Sequence, residues 1–335
     1  MFFHPVILAL LLASLASVVV LAALVPTAFS TWRYWQADSG SELQLRLERR
    51  CVLFATLVRG VAVIQGLALL LAVFNADAMA VMFVGAMCAV GTLGFNEWGF
   101  PMLGAMIVSF FASMVWLAID ALDQAQRDLP LVPLKQAALV VLLPLAILVL
   151  CLQWRYFGGL RADVITSCCG SLFSDSSPGA AGASLAALAP APALALYFGG
   201  LLSAAAAAAW QGWRPGRAAA LAAALGGVVG WGAGVAGLIS VISLYVYEDP
   251  LHHCPFCLLK ADYHYLGYAV YLPLFVAAGA AFSCAALQVC ASRSGLTRSA
   301  SVASARWARA AALAFLLAAL VGALLVGTSP LQLIE

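Results

Sequence analysis

Charge is what this sequence has least of. Of its 335 residues, 9% are Asp, Glu, Lys or Arg and 65% are hydrophobic, with a mean hydropathy of +1.03. A water-soluble domain carries roughly a quarter charged residues. This chain cannot clothe itself for water, and lipid is its natural solvent. The formal net charge of +2 lacks the basic excess of a nucleic-acid-binding protein, so no nucleic-acid partner is expected. Nine cysteines are too few and too scattered for a small disulfide scaffold. Walker, G-x-G-x-x-G, H-E-x-x-H and C-x-x-C-H haem-attachment motifs are all missing. No pair of histidines falls inside the apolar runs, which argues against b-type haem. The opening MFFHP has no Lys or Arg and so lacks the basic n-region of a signal peptide, and the apolar run after it is expected to be retained as a span.

Apolar runs of spanning length, about 20 residues each, are plentiful. Eight can be marked off: Pro5–Phe29, Cys51–Phe74, Met102–Ile119, Leu134–Trp154, Leu194–Trp213, Ala218–Val246, Tyr265–Val289 and Trp307–Val326. A ninth candidate, Met79–Gly94, has only 16 residues, holds three glycines and runs into the turn-rich GFNEWGFP. Basic residues in short loops favour the cytoplasmic side. If the ninth run crosses, Lys and Arg divide almost evenly between the two sides. If it dips in and returns, twelve fall on one side (Arg33, Arg46, Arg49 and Arg50 among them) and three, Arg155, Arg161 and Lys260, on the other. The asymmetry favours an all-α polytopic helix bundle of eight spans with a re-entrant or interfacial segment near 75–101. Such a segment needs protein or water around it at membrane depth. The alternative is nine spans with weak charge bias. The expectation is one integral membrane domain over 1–335, multi-pass in a plasma (inner) membrane, both termini outside.

Within this frame the chemistry-bearing residues converge. His252, His253, Cys254 and Cys257 lie within six residues in EDPLHHCPFCLLKAD, between two spans. The vicinal pair Cys168–Cys169 lies in TSCCG between two others, and Cys88 sits in GAMCAVGT of the re-entrant segment. The eight-span topology puts all of them at the outer face. Tyr245, Tyr247, Tyr263, Tyr265, Tyr268 and Tyr271 flank the His/Cys loop and suit an interfacial aromatic belt. Cys254-Pro255-Phe256-Cys257 is a C-x-x-C expected at the start of a helix, where exposed N–H groups favour the thiolate. The bland reading is a static disulfide stapling the loop. Adjacent Cys168 and Cys169 bridge each other only with strain. They more naturally pair with other cysteines or offer two thiolates to one soft ion.

Six of the seven methionines fall between positions 79 and 114, and thioethers with thiolates suit Cu(I); for the outlying ones, core packing is the simpler reading. Cys151 can join the outer group, whereas Cys51, Cys284 and Cys290 read as small apolar packing residues. Arg59, inside a span with Gln65 deeper, is a functional candidate or a snorkelling side chain. Asp77 and Glu97 flank the re-entrant segment as proton acceptors or wetted carboxylates. Gly226, Gly230 and Gly234 at four-residue spacing mark a close helix contact. Ser292–Arg306 reads as a flexible cytoplasmic linker.

Three functional readings stay open. In the first, Cys254 and Cys257 exchange with Cys168 and Cys169 through a mixed disulfide, with Cys88 as a further thiol: a membrane thiol–disulfide oxidoreductase. The CPFC motif between apolar helices resembles the membrane disulfide-generating quinone reductases and the vitamin K epoxide reductases. The resemblance covers those four residues and their setting; those families have fewer spans and no vicinal pair at this spacing, so the chain is not assigned to them. A quinone as electron acceptor is what the resemblance implies. In the second, Cys88, Cys168, Cys169, Cys254 and Cys257 with His252 or His253 hold Cu(I) or zinc, zinc wanting four N/S ligands. A periplasmic thiol protein or a metallochaperone would be the partner, beside the lipid bilayer. In the third, the chain is a scaffold or accessory subunit whose outer cysteines only staple loops; few intramembrane charges and no clear polar pathway fit it.

Overall fold

A computed structural model of the chain describes residues 4–35, 41–86, 88–126, 128–161, 188–291 and 296–333. No strand forms among them. A run of Leu, Ala and Val in lipid has no water to satisfy its backbone, and a helix satisfies every N–H and C=O within one segment. The helices are α1 (Pro5–Tyr34), α2 (Glu42–Ala78), α3 (Ala89–Leu93), α4 (Gly99–Gln124), α5 (Val132–Ala137), α6 (Leu139–Gly159), α7 (Pro190–Trp213), α8 (Arg217–Gly237), α9 (Ser243–Tyr247), α10 (Leu266–Ala291) and α11 (Thr297–Thr328). Counting the short extensions that continue several of them, eight helical segments among the described residues are long and apolar enough to cross a membrane, and each contains nearly all of one of the eight expected runs, with the second and the last extended most, to Glu42–Met82 and Thr297–Thr328. The protein is an all-α polytopic bundle. The stretch from Phe83 to Trp98 supplies no such helix. It holds turns and the five-residue α3, all of whose residues are buried.

Two compact units emerge. The first comprises Met1–Val73, Asn96–Arg161 and Cys290–Ala300. In it α1 and α4 pack on α6, around a core that includes Leu21, Phe54, Val58, Trp116, Leu142 and Ala146. The second comprises Phe74–Phe95, Ala162–Val289 and Ser301–Glu335. Its α7 and α8 pack against each other, and its core gathers Tyr197, Leu201, Val241, Leu274 and Phe315. Gly230 is needed there for close approach: a Cβ on it would stand 2.6 Å from Ala204 Cβ and 2.8 Å from the Phe315 ring. That is the small-residue contact expected of this helix.

One expectation is corrected and another is made more specific. The Ser/Arg segment is not a linker throughout, because α11 begins at Thr297 and runs on without a break. Its Ala300, Ser304 and Ala305 are buried, and Ser304 Oγ donates to the Cys284 carbonyl at 2.7 Å while accepting from Gln211 Nε2 at 2.8 Å. Burial of one face holds a serine-rich helix that propensity alone would not. Arg59 does not snorkel alone. It pairs with Asp120 at 2.5 Å; Lys135 reaches Asp120 at 2.8 Å and Asp123 at 2.6 Å. Asp120, Asp123 and Lys135 are all buried, so the first unit holds a charge-neutral network of two cations and two carboxylates. Asp123 Oδ1 also accepts the Leu131 N–H at 2.7 Å, tying down the turn between α4 and α5.

Candidate functional site: a buried cluster of three thiols

The second unit brings Cys88, Cys254 and Cys257 together. Their three Sγ atoms lie within 4.8 Å of one another, and Cys88 Sγ stands 3.4 Å from Cys254 Sγ. No disulfide joins the three to one another, and they are 0%, 0% and 6% exposed. Val90 is buried with them, and Tyr247, Phe256 and Tyr263 pack against the group.

Each element of the site has a local cause. Cys88 is the extended residue immediately before α3, with φ −159°. On the other side, α8 runs into a π-helical turn, Leu238–Ile242, and then α9, which stops at Glu248 in a left-handed conformation. The loop then returns through Cys254 and makes two short 3-10 turns, Cys257–Leu259 and Ala261–Tyr263. His264 and Tyr265, with φ 52° and 58°, break these turns from α10. Consecutive left-handed non-glycine residues are uncommon, and this pair redirects the chain. The first turn of α10 is pressed against the cysteine loop: a Cβ on Gly267 would lie 3.0 Å from the Leu258 backbone carbon and 2.7 Å from Leu259 Cδ2.

The expectation that the C-x-x-C begins a helix is therefore corrected. Cys254 lies ahead of any helical turn, Cys257 opens only a three-residue 3-10 turn, and α10 starts at Leu266. No α-helix begins at the C-x-x-C itself to favour a thiolate; the helix start in the cluster is that of the five-residue α3, at Cys88. The chain instead holds the motif through its backbone. Tyr247 donates its hydroxyl to the Cys254 carbonyl at 2.5 Å, and Tyr271 donates to the Pro255 carbonyl at 3.0 Å. These two tyrosines, expected in an interfacial belt, are turned onto the motif. Burial pushes the Tyr263 phenol above its ordinary range, with the nearby Cys257 thiol adding to the effect and Lys260 opposing it. Asp77, in the last turn of α2, is half-buried, accepts the Ala89 N–H and sits within the electrostatic reach of Lys260 and Cys254.

The histidines do not join the sulfur atoms. His253 Nδ1 donates to the Ile239 carbonyl at 3.1 Å, inside the π-helical turn, and the His252 ring lies 4.2 Å from the Tyr247 ring. Among the described residues, no histidine nitrogen belongs to a group of that compactness. Cys151 is exposed on α6, and Cys51, Cys284 and Cys290 are buried; all four lie outside the group. Met79, Met102 and Met106 are buried packing residues, and Met79 Sδ accepts from Asn75 Nδ2 at 3.1 Å. Glu97 is exposed. Cys168 and Cys169 lie outside the described residues.

Sequence reasoning did not single out Tyr247 and Tyr271 as partners of the motif, nor the Asp120–Asp123–Lys135 network. The signal for the second was present: two carboxylates three residues apart at the end of an apolar run, with a lysine just past Pro130 and Pro133. Compared with known proteins, the chain matches no family, no curated relative and no solved structure.

Proposed function

We propose that this polytopic membrane protein is a thiol–disulfide relay working through Cys88, Cys254 and Cys257. The observation that carries the reading is the mutual approach of the three sulfurs, including 3.4 Å between Cys88 and Cys254. Disulfide exchange requires an attacking thiolate, a central sulfur and a leaving sulfur in one place. Here Cys254 is the central atom. An incoming disulfide, from a protein or small-molecule thiol couple, takes two electrons from Cys254 and Cys257 through a mixed disulfide. The incoming couple leaves as two thiols, and a Cys254–Cys257 bond remains. Cys88 thiolate then attacks Cys254 Sγ, the Cys88–Cys254 bond forms, and Cys257 departs as thiolate. This second step moves a bond without further oxidation. The Cys168–Cys169 pair is the proposed partner within the chain, and a quinone is the alternative terminal acceptor.

The test is trapping in membranes. After mild oxidation and alkylation, mass spectrometry should find Cys88–Cys254 as the dominant crosslink in Cys257→Ser and Cys254–Cys257 in Cys88→Ser. Neither should be found in Cys254→Ser. Persistence of all three thiols in the wild type under disulfide challenge sinks the relay.

A second reading, Cu(I) binding, is favoured by the donor set itself: three sulfurs and no histidine nitrogen in the group. Copper(I) accepts two or three thiolates, whereas zinc wants a fourth ligand. Loading the reduced protein with Cu(I) and finding one equivalent, lost in Cys88→Ser, favours this reading over the relay.

A further inference from the structure

The first unit contains a small cavity of about 10 Å³, lined by Gln65, Ser109, Ser113 and Trp116 and otherwise by aliphatic side chains. Three of these are polar side chains that are 3% (Gln65), 4% (Ser109) and 7% (Ser113) exposed. Among the described residues, none of the three has a hydrogen-bond partner for its side chain. That is unusual. A serine inside a helix ordinarily returns its hydroxyl to the carbonyl four residues back, as Ser17, Ser240 and Ser283 do here. Buried polar groups in native proteins are almost always paired, with protein or with ordered water.

We propose that this cavity is a hydration site, holding one water molecule bound by the Gln65 amide and the Ser109 and Ser113 hydroxyls. Size agrees with water as the ligand, because about 10–15 Å³ of this kind of space is what one water needs. Number of partners agrees, since a buried water takes about three hydrogen bonds. Charge agrees as well. The polar lining is neutral and the rest is aliphatic or aromatic, an environment in which a bare ion is strongly disfavoured. The site also has a polar approach. Ser109, Ser113, Trp116, Asp120 and Asp123 recur at helical spacing along one face of α4, and all are buried. Trp116 donates its indole N–H to the Lys135 carbonyl at 3.1 Å. The stripe thus runs from the cavity to the Arg59–Asp120–Lys135–Asp123 network, whose Arg59 side chain is 43% exposed and reaches the surface.

The experiment uses the full chain in lipid nanodiscs. Water-to-protein magnetisation transfer is read at the Gln65 side-chain amide, assigned by its disappearance in Gln65→Leu. The hydration site predicts a clear transfer signal at that amide, comparable with surface amides. It also predicts that Gln65→Leu lowers the Tm, by about 2–4 °C, because it strips the water of a partner. A dry cavity gives no transfer at Gln65, and Gln65→Leu raises the Tm by relieving an unsatisfied amide; either result overturns the proposal. Should Gln65→Leu fail to fold, transfer in the wild type still decides, with the amide assigned by selective labelling.

Discussion

Tyr247 places one hydroxyl against the backbone beside the reactive sulfur, and that makes its role separable. Tyr247→Phe keeps the ring packing against His252 and Tyr263 and removes the hydroxyl that donates to the Cys254 carbonyl and meets the Leu258 backbone. The expected cost is about 1 kcal/mol, together with a lower yield of the Cys88–Cys254 crosslink under the trapping conditions. Wild-type yield in Tyr247→Phe would show that the hydroxyl does not position the motif. The charge network makes a larger prediction. Lys135→Met leaves Asp120 with Arg59 alone and Asp123 without a cation. Breaking a buried pair costs about 3–5 kcal/mol, so the variant should be poorly folded in detergent. Adding Asp123→Asn should recover part of the loss, measured by thermal unfolding. At this scale the sequence was only partly legible. Cys88, Cys254 and Cys257 could be singled out because reactive residue types stand out against an apolar background. Tyr247 and Tyr271 could not be, because a tyrosine at a helix end looks the same whether it faces lipid or a buried carbonyl.

At the scale of elements, the site depends on how closely α10 begins against the cysteine loop. Gly267→Ala puts a methyl group within 3.0 Å of the Leu258 backbone, and neither side can yield without moving the loop. We expect this variant to keep its helix content by circular dichroism and to lose most of the Cys88–Cys254 crosslink. An unchanged crosslink would show that the loop tolerates the shift. The long helices were legible in the sequence because bilayer thickness sets a length and hydropathy fills it. The segment after α2 was legible as too short to cross. The start of a helix at Cys254 was not legible as false. A proline in a C-x-x-C suits a helix's first turn, and only the left-handed residues His264 and Tyr265 defer α10. The continuous α11 was hidden for a related reason, since buried contacts of Ser304 outweigh a composition that reads as linker.

For the molecule as a whole, sidedness is the expectation that joins charge to chemistry. Reporters fused to each terminus should both read extracytoplasmic, and single cysteines placed at Arg50 and Arg214 in a background lacking the native ones should react with an impermeant maleimide only after the membrane is opened. A reversed pattern would leave the helix count intact and place the thiol cluster in the reducing compartment, where a stable relay disulfide is disfavoured. One further consequence follows from Cys88 and Cys254 standing 166 positions apart in the chain. A bridge between Cys254 and Cys257 ties a ring of four residues, while the bridge to Cys88 ties nearly half the polypeptide into one loop. By chain entropy the second restrains the unfolded state by about 3 kcal/mol more than the first. The address of a single bond, at constant oxidation level, would then be legible as a melting temperature: oxidised Cys257→Ser should outlast oxidised Cys88→Ser on heating, and reduction should abolish the gap.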